Sequence, residues 1–379
     1  MGLRAGKTVR VVTLHLTNYR SWKECGLAFH PQLSIVIGEN GSGKTNILDA
    51  LYLASYGRTL RGRDEDAIRW GERESSVRAT FRSEGGAERA VQVTLGPEGK
   101  SMFLGGRRLE GRTELVGLFP LVLSSSDDLD IVQGDPERRR NFLDAVASLL
   151  YRGYLDTLRE YKRALRQRNR ILLEMALGRG GSMVSALAAW TERLVVLGEA
   201  LLRKRLRSLE ELGPQLSEYY RELVGGGRCA VRYLSRVDVD VDDLRAALEK
   251  ALAVSAVEER ERGMTLVGPH RDDLALEVDG TDLRKFGSRG QARAAALALR
   301  LAEAKLVASR GEPPILAVDD AFSDLDDRRA ERLLAQTTGF QTILTSAEEA
   351  RTRELLAARA AHGRVFRIRE KQVVEEVLA

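Results

Sequence analysis

The chain has 379 residues, of which 43% are hydrophobic and 30% charged, with 35 Gly, 8 Pro and 2 Cys. That excludes a disordered, collagen-like or disulfide-stapled chain, and the length leaves room for two to three domains of about 150 residues each. Lys and Arg number 60 against 55 acids, and the resulting +5 permits an anionic partner without requiring one.

Arg outnumbers Lys 50 to 10 along the whole chain, which reads as coding bias more than as a nucleic-acid footprint. Cys25 and Cys229 lie far apart with no Cys-x-x-Cys spacing, pointing to a reducing compartment and away from a structural zinc site. No apolar run approaches the ~18 residues that span a bilayer. The segment Met1 to Thr8 carries no signal-peptide core. A cytoplasmic protein with no membrane partner is the expectation.

In chain order, Val9 to Leu16 alternates with β-branched residues and reads as a strand. Leu33 to Ile37 is a short apolar strand before a glycine-rich turn, and Thr45 to Tyr56 reads as a helix. Between Ser76 and Leu109, short alternating pieces separated by Gly-Gly and Gly-Pro predict an antiparallel meander. The texture turns helical near Pro136. Leu158, Tyr161, Leu165, Leu172 and Met175 recur at helical spacing, as do Leu187, Trp190, Leu194, Leu197 and Leu201 after the break at Gly178 to Gly181. Two such helices make an αα-hairpin whose core holds Leu187 and Trp190. Cys229 to Leu234 is a candidate strand. Beyond Arg262 the β/α texture returns, with a helix from Ala292 to about Ser309 and a buried strand ending at Asp319. The reading is an α/β domain assembled from both chain ends (1–135 and 263–379) around a helical insert at 136–262.

Gly38-Glu39-Asn40-Gly41-Ser42-Gly43-Lys44-Thr45 fits the P-loop pattern between a strand and a helix. Glycines let backbone N–H groups converge on phosphates, and the helix N-terminus adds positive potential. In that setting Lys44 reaches the β- and γ-phosphates of ATP, and the Thr45 hydroxyl ligates Mg²⁺. Asp319 and Asp320 close an apolar strand, so Asp319 is the candidate Mg²⁺ ligand and Asp320 the candidate catalytic carboxylate. Ser288-Arg289-Gly290-Gln291 opens the long helix as an N-cap that also suits an anion.

These motifs, in this order and with Ser323-Asp324-Leu325-Asp326 just after, resemble the ABC-type ATPase heads of DNA-maintenance proteins. More closely they resemble the RecF family of bacterial recombination-repair ATPases. Asp128 to Asp144 and Thr265 to Leu274 match stretches peculiar to that family. The resemblance implies one nucleotide at Gly38 to Thr45, with Asn18, Tyr19 and Arg20 near it. It implies that Ser288, Gly290 and Gln291, with Asp324, complete the γ-phosphate site of a second copy in an ATP-dependent homodimer. It further implies binding to DNA (single-stranded, duplex or junction), mediator partners of the RecO/RecR type, and help in loading recombinase. A subunit of another DNA-maintenance or transport assembly is the alternative. Three departures from transporter ATPases point to slow hydrolysis, which the resemblance implies DNA would stimulate. Asp320 stands where Glu is usual, Leu344-Thr345-Ser346-Ala347 lacks the switch His, and Leu121-Val122-Leu123 offers no Q-loop glutamine.

Two features stay open at this level. His270 and Arg271 are either turn residues bonded to backbone or couplers of nucleotide to insert. The basic run Arg159, Lys162, Arg163, Arg166, Arg168 and Arg170 is either a solvated helix face or a track for DNA phosphates.

Overall fold

The structure, a computed structural model, describes residues 9–83, 85–179, 183–239, 241–323, 325–357 and 362–378. The N-terminal stretch runs β1 (Arg10–Tyr19), β2 (Trp22–Ala28), β3 (Leu33–Ile37), α1 (Lys44–Tyr56), β4 (Ser75–Arg82), β5 (Glu88–Gly96), β6 (Gly99–Leu104), β7 (Arg107–Arg108) and β8 (Leu121–Ser124). The middle runs α2 (Leu129–Val132), α3 (Pro136–Leu150), α4 (Tyr154–Ala176), α5 (Val184–Val224), β9 (Cys229–Leu234) and α6 (Leu244–Arg262). Then follow β10 (Asp273–Val278), β11 (Thr281–Asp282), α7 (Leu283–Phe286), α8 (Arg289–Arg310) and β12 (Ile315–Val318). The chain ends with α9 (Asp327–Gln336), β13 (Thr342–Ser346), α10 (Glu349–Ala357), β14 (Gly363–Arg369) and β15 (Gln372–Leu378).

The first compact unit comprises Met1–Leu129, Gln215–Gly227 and Arg289–Ala379. It holds two six-stranded sheets. One is antiparallel in the order β2-β1-β4-β5-β6-β7, the expected meander, and Leu14 and Leu16 of β1 are buried in it. The other has the order β15-β14-β3-β13-β12-β8 and is parallel except at the β15 edge. Its strands β3, β8, β12 and β13 are buried almost throughout, as a parallel sheet covered on both faces requires. β3 and β8 come from the first third of the chain and β12 to β15 from the last, so the α/β head is built from both ends.

The second unit comprises Asp130–Pro214 and Arg228–Ser288. Its hairpin of α4 and α5 packs Tyr161, Ala164, Leu194, Leu197 and Leu201 together, with Leu158, Leu165 and Trp190 against them. Of these, the helical periodicity pointed to all but Ala164, while Leu172, Met175 and Leu187 of the expected stripe lie outside this cluster. The units divide at different places from the expected boundaries. Residues 263–288 belong with the insert, because β10 pairs antiparallel with β9 along Asp273↔Leu234 to Val278↔Cys229. The β texture after Arg262 therefore marks a further, three-stranded sheet, β11-β10-β9, inside that unit. α5 is 41 residues long and carries Pro214, after which its last part belongs to the first unit.

Candidate nucleotide site

The loop after β3 is anchored where β3 meets β13: the Gly38 N–H donates to the Ser346 carbonyl at 3.2 Å. Gly43 caps α1 with φ 110°, and a Cβ there would come within 2.9 Å of Ser21 Oγ and Trp22 Nε1. Only glycine fits both demands. The buried Trp22 indole donates to the Gly43 carbonyl at 3.2 Å, and Asn46 donates to Ser21 Oγ at 2.9 Å. The turn between β1 and β2 thus grips the start of α1.

Lys44 Nζ lies back along the loop and donates to the carbonyls of Gly38 at 2.6 Å and Glu39 at 2.9 Å. Burial lowers the pKa of its ammonium, against the opposing pull of the Asp320 and Asp319 carboxylates. The Thr45 hydroxyl donates to Asp319 Oδ2 at 2.8 Å. Thr345 Oγ1 donates to the other oxygen, Oδ1, at 2.7 Å, and itself accepts the Asp320 N–H at 2.7 Å. Asp320 adopts φ 50° and is exposed. Ser42 Oγ is buried with no hydrogen-bond partner. A buried hydroxyl left unsatisfied is costly, and one in a glycine cradle beside a lysine suits a phosphate oxygen.

Lys44, Thr45, Asp319 and Asp320, drawn from the two chain halves, therefore converge as their motifs suggested. Thr345 and Trp22 join them without having been singled out from the sequence. The signal for Thr345 was its register, opposite Val36 at the end of β3. Arg20, expected near the nucleotide, is held within the chain. Its guanidinium is engaged by Asp49 at 3.0 Å and by the carbonyls of Arg61 at 2.7 Å and Asp66 at 3.2 Å. Ser21 and Trp22 touch the loop instead. Tyr19 Oη also donates to Asp49, at 2.8 Å. Ser288, Gly290 and Gln291 are all exposed, at the N-terminus of α8. Asp324 lies outside the described residues. Among the described residues no group of three His, Cys, Asp or Glu is placed to hold a metal ion on its own.

The sequence matches the family described as RecF/RecN/SMC N terminal domain over residues 10–367. The chain belongs to that family. A protein of Symbiobacterium thermophilum named DNA replication and repair protein RecF is 36% identical over 374 residues, covering 96% of this chain and 97% of its own. One of the same name from Synechococcus sp. (strain JA-3-3Ab) is 35% identical over 343 residues, covering 88% and 90%. Among solved structures, the recombination mediator protein RecF with ATP, in the RecFOR pathway, superposes with a TM-score of 0.88 at 28% identity, covering 100% of both chains. The Smc head domain from Pyrococcus furiosus shares the fold, with a TM-score of 0.58 at 19% identity over 98% of this chain and 97% of that one.

The two RecF-type stretches are largely structural within their units. Arg300 of α8 binds Asp128 at 2.7 Å and Glu303 at 2.8 Å within the first unit. In the second unit Arg139, 1% exposed, binds Asp273 at 2.6 Å. Arg205 binds Asp144 at 2.7 Å, and Asp144 accepts from Tyr154 Oη at 2.5 Å. Gly268 adopts φ 123°, and a Cβ there would meet Tyr161 Oη at 2.7 Å. His270 Nε2 lies 3.3 Å from the Thr265 carbonyl, which can only accept, so Nδ1 accepts from Tyr161 Oη at 2.8 Å. Burial lowers its pKa to about 4 and keeps it neutral. His270 is thus a turn residue bonded to backbone.

The basic run splits in two. Arg168, 4% exposed, binds Glu259 at 2.6 Å and Thr265 Oγ1 at 2.7 Å, which removes it from any surface track. Lys162, Arg163, Arg166 and Arg170 are exposed on α4, and Arg159 is exposed beside Asp156.

Proposed function

We propose that this RecF-family chain is an ATP-switched DNA-repair protein that binds ATP at Gly38 to Thr45, dimerises around it, and hydrolyses it slowly. The observation that carries the reading is the run of hydrogen bonds Thr45–Asp319–Thr345–Asp320 beside Lys44. Lys44 would leave its loop carbonyls for the β- and γ-phosphates, and Ser42 Oγ would gain the partner it lacks. Thr45 and Asp319 would hold Mg²⁺, whose other ligands come from the nucleotide and water; when bound, the ion neutralises phosphate charge. Asp320 would orient water and accept its proton as the oxygen attacks the γ-phosphorus and the bond to ADP breaks. A carboxylate one methylene shorter than Glu, with no switch His, makes that step slow.

The signature residues Ser288, Gly290 and Gln291, with Asp324, would meet the γ-phosphate held by a second copy. Exposed Lys162, Arg163, Arg166 and Arg170 would contact DNA phosphates, and mediators of the RecO/RecR type would act with the complex in the cytoplasm. The test is ATP binding and turnover, alone and with gapped, duplex and single-stranded DNA. Lys44→Ala should abolish tight ATP binding. Undiminished affinity in that variant overturns the assignment, and turnover indifferent to every DNA overturns the DNA-linked switch.

A further inference from the structure

The sequence holds three tryptophans. Trp22 is buried behind the P-loop and Trp190 is half-buried in the hairpin core, but Trp70 is 98% exposed. An indole left wholly in water forgoes the stabilisation of burial, and surfaces that leave aromatics out commonly use them in recognition.

Trp70 sits on a fixed turn. The Arg69 N–H donates to the Asn18 carbonyl at 2.9 Å, and the Glu72 N–H closes the turn on the Arg69 carbonyl at 3.0 Å. Ile68 forms a bridge with Tyr19, and the Arg20 N–H donates to the Ala67 carbonyl at 2.7 Å. Gly71 at φ 87° completes the turn. The indole is therefore presented by the same β1–β2 end whose Ser21 and Trp22 grip the nucleotide loop.

Its surroundings discriminate among partners. No other large hydrophobic residue between 57 and 74 is among the exposed ones, so Trp70 is the lone exposed apolar side chain of this stretch. The chain neighbours are charged. Arg69 pairs with Glu72 at 3.4 Å, and Arg73 is exposed. Of the nearby acids, Asp64 is held by Lys100 and Thr59 and Asp66 caps the Arg63 N–H, while Glu65 and Glu74 are exposed. A lone aromatic face beside arginines is the arrangement that stacks nucleic-acid bases, since every base has a π-face and the adjacent phosphate is anionic.

We propose that Trp70, flanked by Arg69 and Arg73, is a stacking platform for an unpaired DNA base. The proposal rests on the DNA-binding reading above and names the DNA it engages. Bases inside a duplex have both faces covered by neighbours, so the platform selects single-stranded segments and gap edges.

The test uses the full-length chain, an oligothymidylate and a blunt duplex of equal length. Tryptophan emission should fall as the wild-type chain binds oligothymidylate, and that quench should vanish in Trp70→Phe, which keeps an aromatic face and most of the affinity. Trp70→Ala should lose on the order of tenfold in single-strand affinity, measured by anisotropy, with duplex affinity unchanged. Equal single-strand affinity in Trp70→Ala, with no quench in wild type, overturns the platform while leaving DNA binding intact. Equal losses on duplex and single strand overturn the selectivity. Failure of the wild-type chain to bind any DNA overturns both the platform and the reading beneath it.

Discussion

At the scale of single residues, Thr345 joins the two carboxylates expected at the nucleotide. Its one hydroxyl donates to Asp319 and accepts from the backbone of Asp320, and the residue is fully buried. Replacing it with Val keeps the shape and removes both bonds, leaving a carboxylate oxygen and an N–H short of partners at a cost of about 1–3 kcal/mol. The expected outcome is a raised Mg²⁺ requirement for ATP turnover, with Thr345→Ser restoring the wild-type requirement. A role confined to packing would lower the melting temperature and leave the Mg²⁺ curve where it was. Asp320 differs, because it is exposed at the end of its strand. Asp320→Asn should bind ATP normally and barely hydrolyse it, and normal single-turnover hydrolysis would deny it a chemical role. The loop, the lysine and the paired aspartates were legible because each chemistry demands a residue type at a fixed spacing. Thr345 was not, since a threonine in an apolar strand looks like any β-branched residue until the register brings it to Asp319. Arg20, expected near the nucleotide, has bonds that the sequence did not show: Asp49 and two carbonyls take its donors.

At the scale of elements, α4 shows how much a periodic pattern can tell. The apolar positions Leu158, Tyr161, Leu165 and Leu172 were legible as a core stripe and lie on the packed side of the helix. The basic positions between them looked equivalent and are not. Arg168 falls on the buried side and is neutralised by Glu259, a partner 91 residues away that no local pattern reveals. Arg163, Arg166 and Arg170 face water. Phosphate contacts release counterions, so DNA affinity should fall linearly on a log–log salt plot, with a slope set by their number. Replacing Arg163, Arg166 and Arg170 together with Glu should weaken binding of all sequences alike and flatten that slope by about three, one for each arginine–phosphate pairing. Because these side chains are exposed, the melting temperature should barely move. An unchanged slope would shift the DNA surface off α4. The same logic explains the misplaced boundary at 262: strand texture identifies a strand but not its partner, and β10 pairs with β9 rather than with the sheets of the head.

At the scale of the whole molecule, the residues proposed to bind ATP and those of the signature bear on a single prediction. The loop has a lysine bonded to its own carbonyls and a buried serine hydroxyl with no partner, while the signature opens α8 with Gly290 and Gln291 exposed. In the dimer proposed above, a second copy brings Ser288, Gly290 and Gln291 to the γ-phosphate. ATP carries that phosphate and ADP does not, so ATP alone, without hydrolysis, should drive dimerisation through its greater affinity for the dimer. In sedimentation with a slowly hydrolysed ATP analogue, the chain should shift from 42.0 kDa towards about 84 kDa, twice its own mass, and ADP should return it to the monomer. Ser288→Arg puts a long side chain where phosphate must enter and removes the hydroxyl at the helix start. That variant should stay near 42.0 kDa while binding nucleotide with wild-type affinity, because its own P-loop is untouched. A wild-type chain that remains monomeric when saturated with the analogue would falsify the shared site, and Ser288 would then serve only the start of its helix.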